Sequence, residues 1–157
     1  MDLKIIESKS GGDLVFEGGD LRLTSEIYNQ PYLGRFGGNK NASTSDQVLE
    51  NEQRQDYWGN LLLLENRVNE QFNSKFEKAL NEVELSSSGR VKLERIASDD
   101  MDYLEGFAES ETSITIETVD KILLKDAVTV GDNKNFTYIW DNAKDEILED
   151  GNSTYTE

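Results

Sequence analysis

The sequence contains no cysteine and no histidine. Without cysteine there are no disulfides, thiolate nucleophiles, zinc fingers or iron–sulfur clusters, and a reducing compartment is favoured. Without histidine the most common general base, the Ser-His-Asp triad and most transition-metal sites are excluded. The chemistry that remains is that of carboxylates, of lysines and of hard cations.

Basic residues are also scarce, with 16 Lys and Arg against 32 Asp and Glu in 157 residues, a formal net charge of -16. The basic residues form no cluster, so we expect no binding to nucleic acid or to anionic membranes. Long apolar runs are missing too. The longest, Leu61–Leu64, is far shorter than a membrane span, and the first, Leu3–Ile6, is too short for a signal peptide. We therefore expect one soluble domain without an export signal.

Residues 1 to 23 predict three strands joined by two glycine-aspartate turns, Ser10–Asp13 and Glu17–Asp20. The apolar residues recur at every second position, which is typical of half-buried strands in a small antiparallel meander. These residues are Leu3, Ile5, Leu14, Phe16, Leu21 and Leu23. The following residues, 29–56, are polar and irregular, and they predict a long surface loop.

Two main helices are predicted in the centre of the chain. The apolar positions from Phe72 to Val83 fall on one face of the first, and those from Leu93 to Leu104 fall on one face of the second. Ser86–Gly89 separates the two helices and offers a cap for the second. A shorter helix is predicted ahead of them over Leu61–Asn69, with Asn60 as its N-cap.

The C-terminal part again predicts strands. Ile114 and Ile116 alternate with polar residues, Ile122–Val130 carries a predicted bulge near Lys125–Asp126, and Gly131–Asn135 is a predicted turn. The last strand, Phe136–Trp140, places three aromatic residues on one face, for which a core position is favoured over an interface. We therefore predict an α+β fold, with a domain over residues 1–141 and an acidic tail over residues 142–157.

Acidic residues offer two kinds of site. Asp13 and Asp20 in the repeated Gly-Gly-Asp-Leu phrase could bind calcium, but two copies supply few ligands, and turn formation is favoured. A glycosidase needs two carboxylates held roughly 5 to 10 Å apart, and none of the acidic pairs stands in such a motif. Asp100 lies near the apolar face of the second helix, where we expect it to pair with an arginine or to cap backbone. We predict no catalytic, metal-binding or cofactor-binding residues.

The densest aromatic segment is Tyr57-Trp58-Gly59-Asn60. Aromatic residues beside a glycine at the start of a helix serve either to fill the core or to anchor a partner's pocket. The residues alone leave both interpretations open.

Taken in order, these elements resemble the small baseplate protein of Mu-like contractile phages, a relative of the gene-25-like baseplate wedge proteins. The resemblance rests on a pattern of motifs that covers most of residues 1–141. The motifs are Gly12–Leu14, Gly19–Leu21, Arg54 with Tyr57–Asn60, the helical segment from Asn73 to Leu104, and Phe136–Trp140.

The resemblance implies a structural role without catalysis, in the virion tail baseplate, with assembly in the host bacterial cytoplasm. The implied partners are other baseplate wedge proteins, the tail sheath protein, and tube or hub proteins. The candidate partner-binding residues are Arg54, Tyr57, Trp58 and Arg90. The Glu-Pro-Arg signature of the wedge family is absent here, and Glu84–Arg90 stands in its place. A peptidoglycan-acting, lysozyme-like hydrolase of the baseplate is the alternative.

Overall fold

The computed structural model describes residues 2–7, 12–24, 26–38, 60, 62–141 and 146–149. Six short strands come first: β1 (Asp2–Leu3), β2 (Ile5–Glu7), β3 (Gly12–Leu14), β4 (Phe16–Glu17), β5 (Asp20–Leu21) and β6 (Leu23–Thr24). The helices are α1 (Gln30–Phe36), α2 (Phe76–Glu82) and α3 (Ser87–Asp99), with short 3-10 helices at Glu26–Tyr28, Val68–Glu70 and Asp102–Leu104. The last strands are β7 (Glu109–Thr118), β8 (Lys121–Val130), β9 (Asp132–Asp141) and β10 (Glu146–Glu149). The predicted α+β class is confirmed.

The six N-terminal strands form three bent segments, each of which pairs with both of the others. The pairs are β1 with β6, β2 with β3, and β4 with β5, all antiparallel. At the three bends, Lys4 N donates to Arg22 O, Arg22 N to Val15 O and Val15 N to Lys4 O, at 2.8 to 3.2 Å. This closed ring goes beyond the predicted meander, because the third segment also returns to the first.

The bends overturn part of the predicted burial. Phe16 is 71 % exposed and Leu23 is 55 % exposed, whereas Ile5 packs against the core. An alternating pattern buries one face only while a strand keeps one partner, and here each segment changes partner after two or three residues.

The predicted surface loop is wrong over residues 29–38, because this segment contains α1. Residues Pro31–Arg35 of α1 are buried. The proline stands in the first turn of α1, where a missing N–H costs nothing. The preceding residue, Asn29, fastens the N-terminal unit, since its amide donates to Leu3 O (2.6 Å) and Asp2 Oδ2 (3.2 Å) and its Oδ1 accepts from Ile5 N (3.1 Å). The rest of the predicted loop lies outside the described residues.

The two predicted main helices are confirmed as α2 and α3. Ser86 caps α3 as expected, since its Oγ accepts from Gly89 N at 3.1 Å. The predicted helix over Leu61–Asn69 is wrong for most of its length, because turns and bends follow Leu62 and a 3-10 turn begins at Val68. Side chains compete for the backbone carbonyls there: Gln71 Nε2 donates to Leu64 O at 2.9 Å.

The C-terminal sheet has the strand order β10-β9-β8-β7, and all its pairs are antiparallel. The predicted bulge near Lys125–Asp126 is wrong: β8 keeps its register there, and the irregularity lies between Ile116 and Thr118 of β7. Asp126 therefore stays in phase with the apolar positions and faces the core. The predicted turn at Gly131–Asn135 shortens to Gly131, which has a φ of 75°. Glu146–Glu149, part of the predicted acidic tail, pairs with β9 as β10.

The core lies between one face of this sheet and the helices. The residues of β7 to β9 that point into it include the three aromatic residues of β9, Phe136, Tyr138 and Trp140, which confirms their predicted core position. The buried apolar residues from the helices are Tyr32, Leu33, Phe76, Ala79, Leu80, Leu93, Ala97, Met101 and Leu104. In the described part of the chain, no helix has the length and apolar character needed to cross a membrane.

Candidate functional site

Three of the four residues predicted to bind partners, Arg54, Tyr57 and Trp58, lie outside the described residues. The fourth, Arg90, lies in the first turns of α3. The structure therefore places one end of the aromatic motif, Asn60, and one predicted contact residue, Arg90.

We predicted Asn60 as a helix N-cap. Its side chain instead binds the backbone of Phe72. Its Oδ1 accepts from Phe72 N and its Nδ2 donates to Phe72 O, both at 2.9 Å. This pair of bonds is what a neighbouring strand would supply, and it forms where Asn60 is fully buried. The described end of the aromatic motif thus fixes the segment that leads into α2.

Arg90 is engaged within its own helix. Its Nη1 lies 2.8 Å from Glu94 Oε2, one turn further along α3. The other oxygen, Glu94 Oε1, accepts from Ile114 N of β7 at 3.2 Å. Both side chains are only partly exposed, 39 % for Arg90 and 29 % for Glu94. The predicted contact residue therefore holds Glu94, and Glu94 connects α3 to the sheet at β7.

The most buried charges join α1 to the sheet. Arg35 Nη2 lies 2.5 Å from Asp126 Oδ1, and Arg35 Nε donates to Asp126 Oδ2 at 3.3 Å. Thr112 lies directly opposite Asp126 on β7, and its hydroxyl accepts from Arg35 Nη2 at 2.6 Å and donates to Asp126 Oδ1 at 2.8 Å. Arg35 is 0 % exposed and Asp126 is 2 % exposed, so both charges depend on each other for the hydrogen bonds that water would otherwise make.

Arg35 Nη1 is buried and has no hydrogen-bond partner among the described residues. An unpaired buried donor costs stability, which is set against the favourable bonds to Asp126 and Thr112.

Asp100 caps backbone, as we expected, and the backbone belongs to another helix. Asp100 itself ends α3, where its N–H donates to Ile96 O at 3.0 Å. Its carboxylate accepts from Lys75 N at 2.9 and 3.1 Å and from Phe76 N at 2.8 Å, at the start of α2. A carboxylate at this position is favoured by the unpaired N–H groups and the partial positive charge of a helix N-terminus.

Ser74 extends the contact to α1, because its hydroxyl lies between two acceptors, the carbonyl of Arg35 and Asp100 Oδ2. Burial raises the pKa of the Asp100 carboxyl above its ordinary value, and the hydrogen bonds from Phe76, Lys75 and Ser74 and the charge of Arg35 oppose this rise. A raised pKa is one property of a general acid. Here, however, the carboxylate is occupied by the helix N–H groups and the serine, so its contacts are those of a cap.

The described half of the glycine-aspartate repeat is a turn. Gly18 and Gly19 have φ values of 63° and 89° and connect β4 to β5, and Asp20 Oδ1 accepts from Leu21 N at 2.8 Å. The side chain of Asp13 lies outside the described residues. Among the residues that the structure describes, no three acidic side chains are grouped so as to hold a metal ion.

Comparisons of the chain with protein-family models, with curated proteins and with solved structures found no match.

Proposed function

We propose that this chain is a structural subunit of the baseplate of a contractile phage tail, or of a related contractile injection machine, that links the baseplate wedge to the sheath and tube. The proposal starts from the order of sequence motifs that resembles the Mu-like baseplate proteins. The implied partners remain other wedge proteins, the sheath protein, and tube or hub proteins.

The observation that carries the proposal is the use of the buried charged groups. Arg35 and Asp126 join α1 to the sheet, and Asp100 joins the end of α3 to the start of α2. Each of these groups forms hydrogen bonds that hold two elements of the fold together. Such contacts give a subunit a fixed shape, which assembly with neighbouring subunits requires.

Surface composition supports the same role. Several large apolar side chains of the described residues are strongly exposed, among them Leu62 (76 %), Leu63 (62 %) and Val119 (81 %). The net charge of -16 keeps a free subunit soluble despite these residues. Solubility before assembly and apolar contact sites afterwards are what an assembly subunit needs.

The direct test is mass spectrometry of contractile particles purified by density gradient from a lysate that contains the protein. We expect the chain in the particle fraction, at far fewer copies than the sheath protein. Recovery in the soluble fraction alone, beside intact particles, would overturn the proposal.

A turbidity assay on peptidoglycan tests the lysozyme-like alternative. The purified chain and its Asp100→Asn variant should both leave the suspension unchanged. Clearing by the unmodified chain would establish a hydrolase, and loss of clearing in an Asp100→Asn variant with an unchanged circular dichroism spectrum would identify Asp100 as its acid.

A further inference from the structure

β7 is an edge strand of the C-terminal sheet, because in the described part of the chain only β8 pairs with it. Ile114 N donates to Glu94 Oε1, so the main-chain groups of Ile114 point away from β8. In an antiparallel pair these directions alternate along the strand. The main-chain groups of Ser110, Thr112 and Ile116 therefore lie on the same open side.

The contact between Thr112 and Asp126 agrees with this assignment. These two residues are directly opposite each other, and their side chains meet at 2.8 Å. Opposite side chains come closest at the pairs that exchange no backbone hydrogen bonds, which are the pairs whose main-chain groups point outward.

The middle of β7 carries few of the features that keep edge strands from pairing with other chains. Glu109 and Glu111 charge one end of the strand and Glu117 charges the other. Between them, the segment Thr112–Ile116 has no charge, no proline and four β-branched residues. An uncharged edge of this kind pairs readily with a further strand unless something covers it.

The carboxylate of Glu94, on α3, contacts the centre of that segment at Ile114. Its Oε1 accepts the hydrogen bond from Ile114 N that the carbonyl of an added strand would otherwise accept. Arg90 binds the second oxygen, Oε2, at 2.8 Å and so fixes the direction of the carboxylate. Because the acceptor is charged, the bond is stronger than one to a neutral carbonyl.

We infer that Glu94, oriented by Arg90, guards the open edge of the sheet by occupying the Ile114 amide and so prevents another strand from pairing with the middle of β7. A strand that joins this edge must first displace the carboxylate. The inference does not rest on the proposed function, since it follows from the contacts of α3 with β7 alone.

The test compares the unmodified chain with Glu94→Ala, Glu94→Gln and Arg90→Ala. Glu82→Ala is the matched control, because Glu82 forms the same i,i+4 type of ion pair, with Lys78 on α2, and its side chain is 59 % exposed. Amide hydrogen exchange measures the Ile114 N–H, and sedimentation velocity over a range of concentrations measures self-association.

In Glu94→Ala we expect exchange of the Ile114 amide to become roughly tenfold faster, because a charge-assisted hydrogen bond is lost. We also expect concentration-dependent self-association that the control does not show, with new protection of amides in 110–116. Arg90→Ala should show the same changes to a smaller extent, and Glu94→Gln, which keeps an acceptor oxygen, should stay close to the unmodified chain.

Two results would overturn the inference. One is an Ile114 amide that exchanges as slowly in Glu94→Ala as in Glu82→Ala while both stay monomeric. The other is self-association of the unmodified chain through 110–116. If Glu94→Ala fails to fold, the comparison of Arg90→Ala with Glu82→Ala decides, because Arg90→Ala frees the Glu94 carboxylate without removing it.

Discussion

Two acids that join elements of this fold, the buried Asp126 and the partly buried Asp100, are held in different ways. Asp126 lies in the middle of β8 with a full positive charge, Arg35, as its partner. Asp100 lies at the end of α3, less deeply buried, and its main partners are the N–H groups that begin α2. A full charge deep in a core leaves a strongly unfavourable state when its partner is removed. The N–H groups of a helix end that loses its cap can bind water instead, since they lie nearer the surface.

Removal of the Asp126 carboxylate should lower the free energy of unfolding more than any other change considered. Asp126→Ala leaves the Arg35 guanidinium buried and uncompensated, and we expect a loss of about 3 to 5 kcal/mol in the free energy of unfolding. Urea unfolding followed by circular dichroism measures it. The double variant Arg35→Met with Asp126→Leu is the control, and its loss should be clearly smaller than that of Asp126→Ala. An equal or greater loss would show that the charge itself is not the cause.

Removal of the Asp100 carboxylate should cost less. Asp100→Ala leaves the N–H groups of Lys75 and Phe76 without their acceptor, and loss of such a cap costs about 1 to 2 kcal/mol. The same urea experiment measures it, with Asp99→Ala on the exposed neighbouring position as the control. A loss as large as that of Asp126→Ala would remove the distinction between the two acids.

Removal of the Thr112 hydroxyl should lower the free energy of unfolding by less than removal of the Asp100 carboxylate. Thr112→Val keeps the shape of the side chain but removes the bonds to Arg35 and Asp126. We expect a loss of about 1 kcal/mol, since the ion pair itself remains. The comparison with Thr115→Val, on the exposed face of the same strand, isolates the contribution of the buried hydroxyl. Equal stabilities of the two variants would contradict the prediction.

The smallest effect concerns pH. The pKa of Asp100 is raised in the folded protein, so the folded state binds this proton more tightly than the unfolded chain does. The stability that depends on Asp100 should therefore increase as the pH falls through its folded-state pKa towards 3.8, and decrease as the pH rises. We expect the unmodified chain to gain stability relative to Asp100→Asn as the pH is lowered. Urea midpoints for both proteins, measured in parallel across the acidic range, test the sign. A relative loss would show that the hydrogen bonds outweigh burial.

Several elements could be predicted because their signals are local. Three of them depend only on residues a few positions apart in the chain. They are the serine cap of α3, the apolar faces of α2 and α3, and the alternation in Phe136–Trp140. The same reasoning failed at α1, where a polar composition hid a short helix with proline in its first turn. It also failed at Asp126, because we interpreted a charge in phase with buried residues as a shift of the strand.

Asp126 nevertheless carried a signal. Ile122, Leu124, Asp126 and Val128 alternate without interruption, so the pattern itself placed a carboxylate in the core. Its partner had no such signal, because Arg35 lies 91 residues away in a segment that we expected to be a surface loop. The candidate site was predictable to the same limited extent. Arg90 was named from the resemblance, but its connection to the edge of β7 through Glu94 was not.

The sequence by itself determined the strong negative charge, the lack of cysteine and histidine chemistry, the α+β class, and the serine cap at which α3 begins. These follow from composition and from periodicity over a few residues. Only the tertiary structure decided that three bent segments close into a ring, that Arg35 meets Asp126, that Asp100 caps a second helix and that Glu94 reaches the edge of β7. Each of those contacts joins residues that are distant in the chain. Packing brings these residues together by burying apolar surface, and no short stretch of sequence contains both partners.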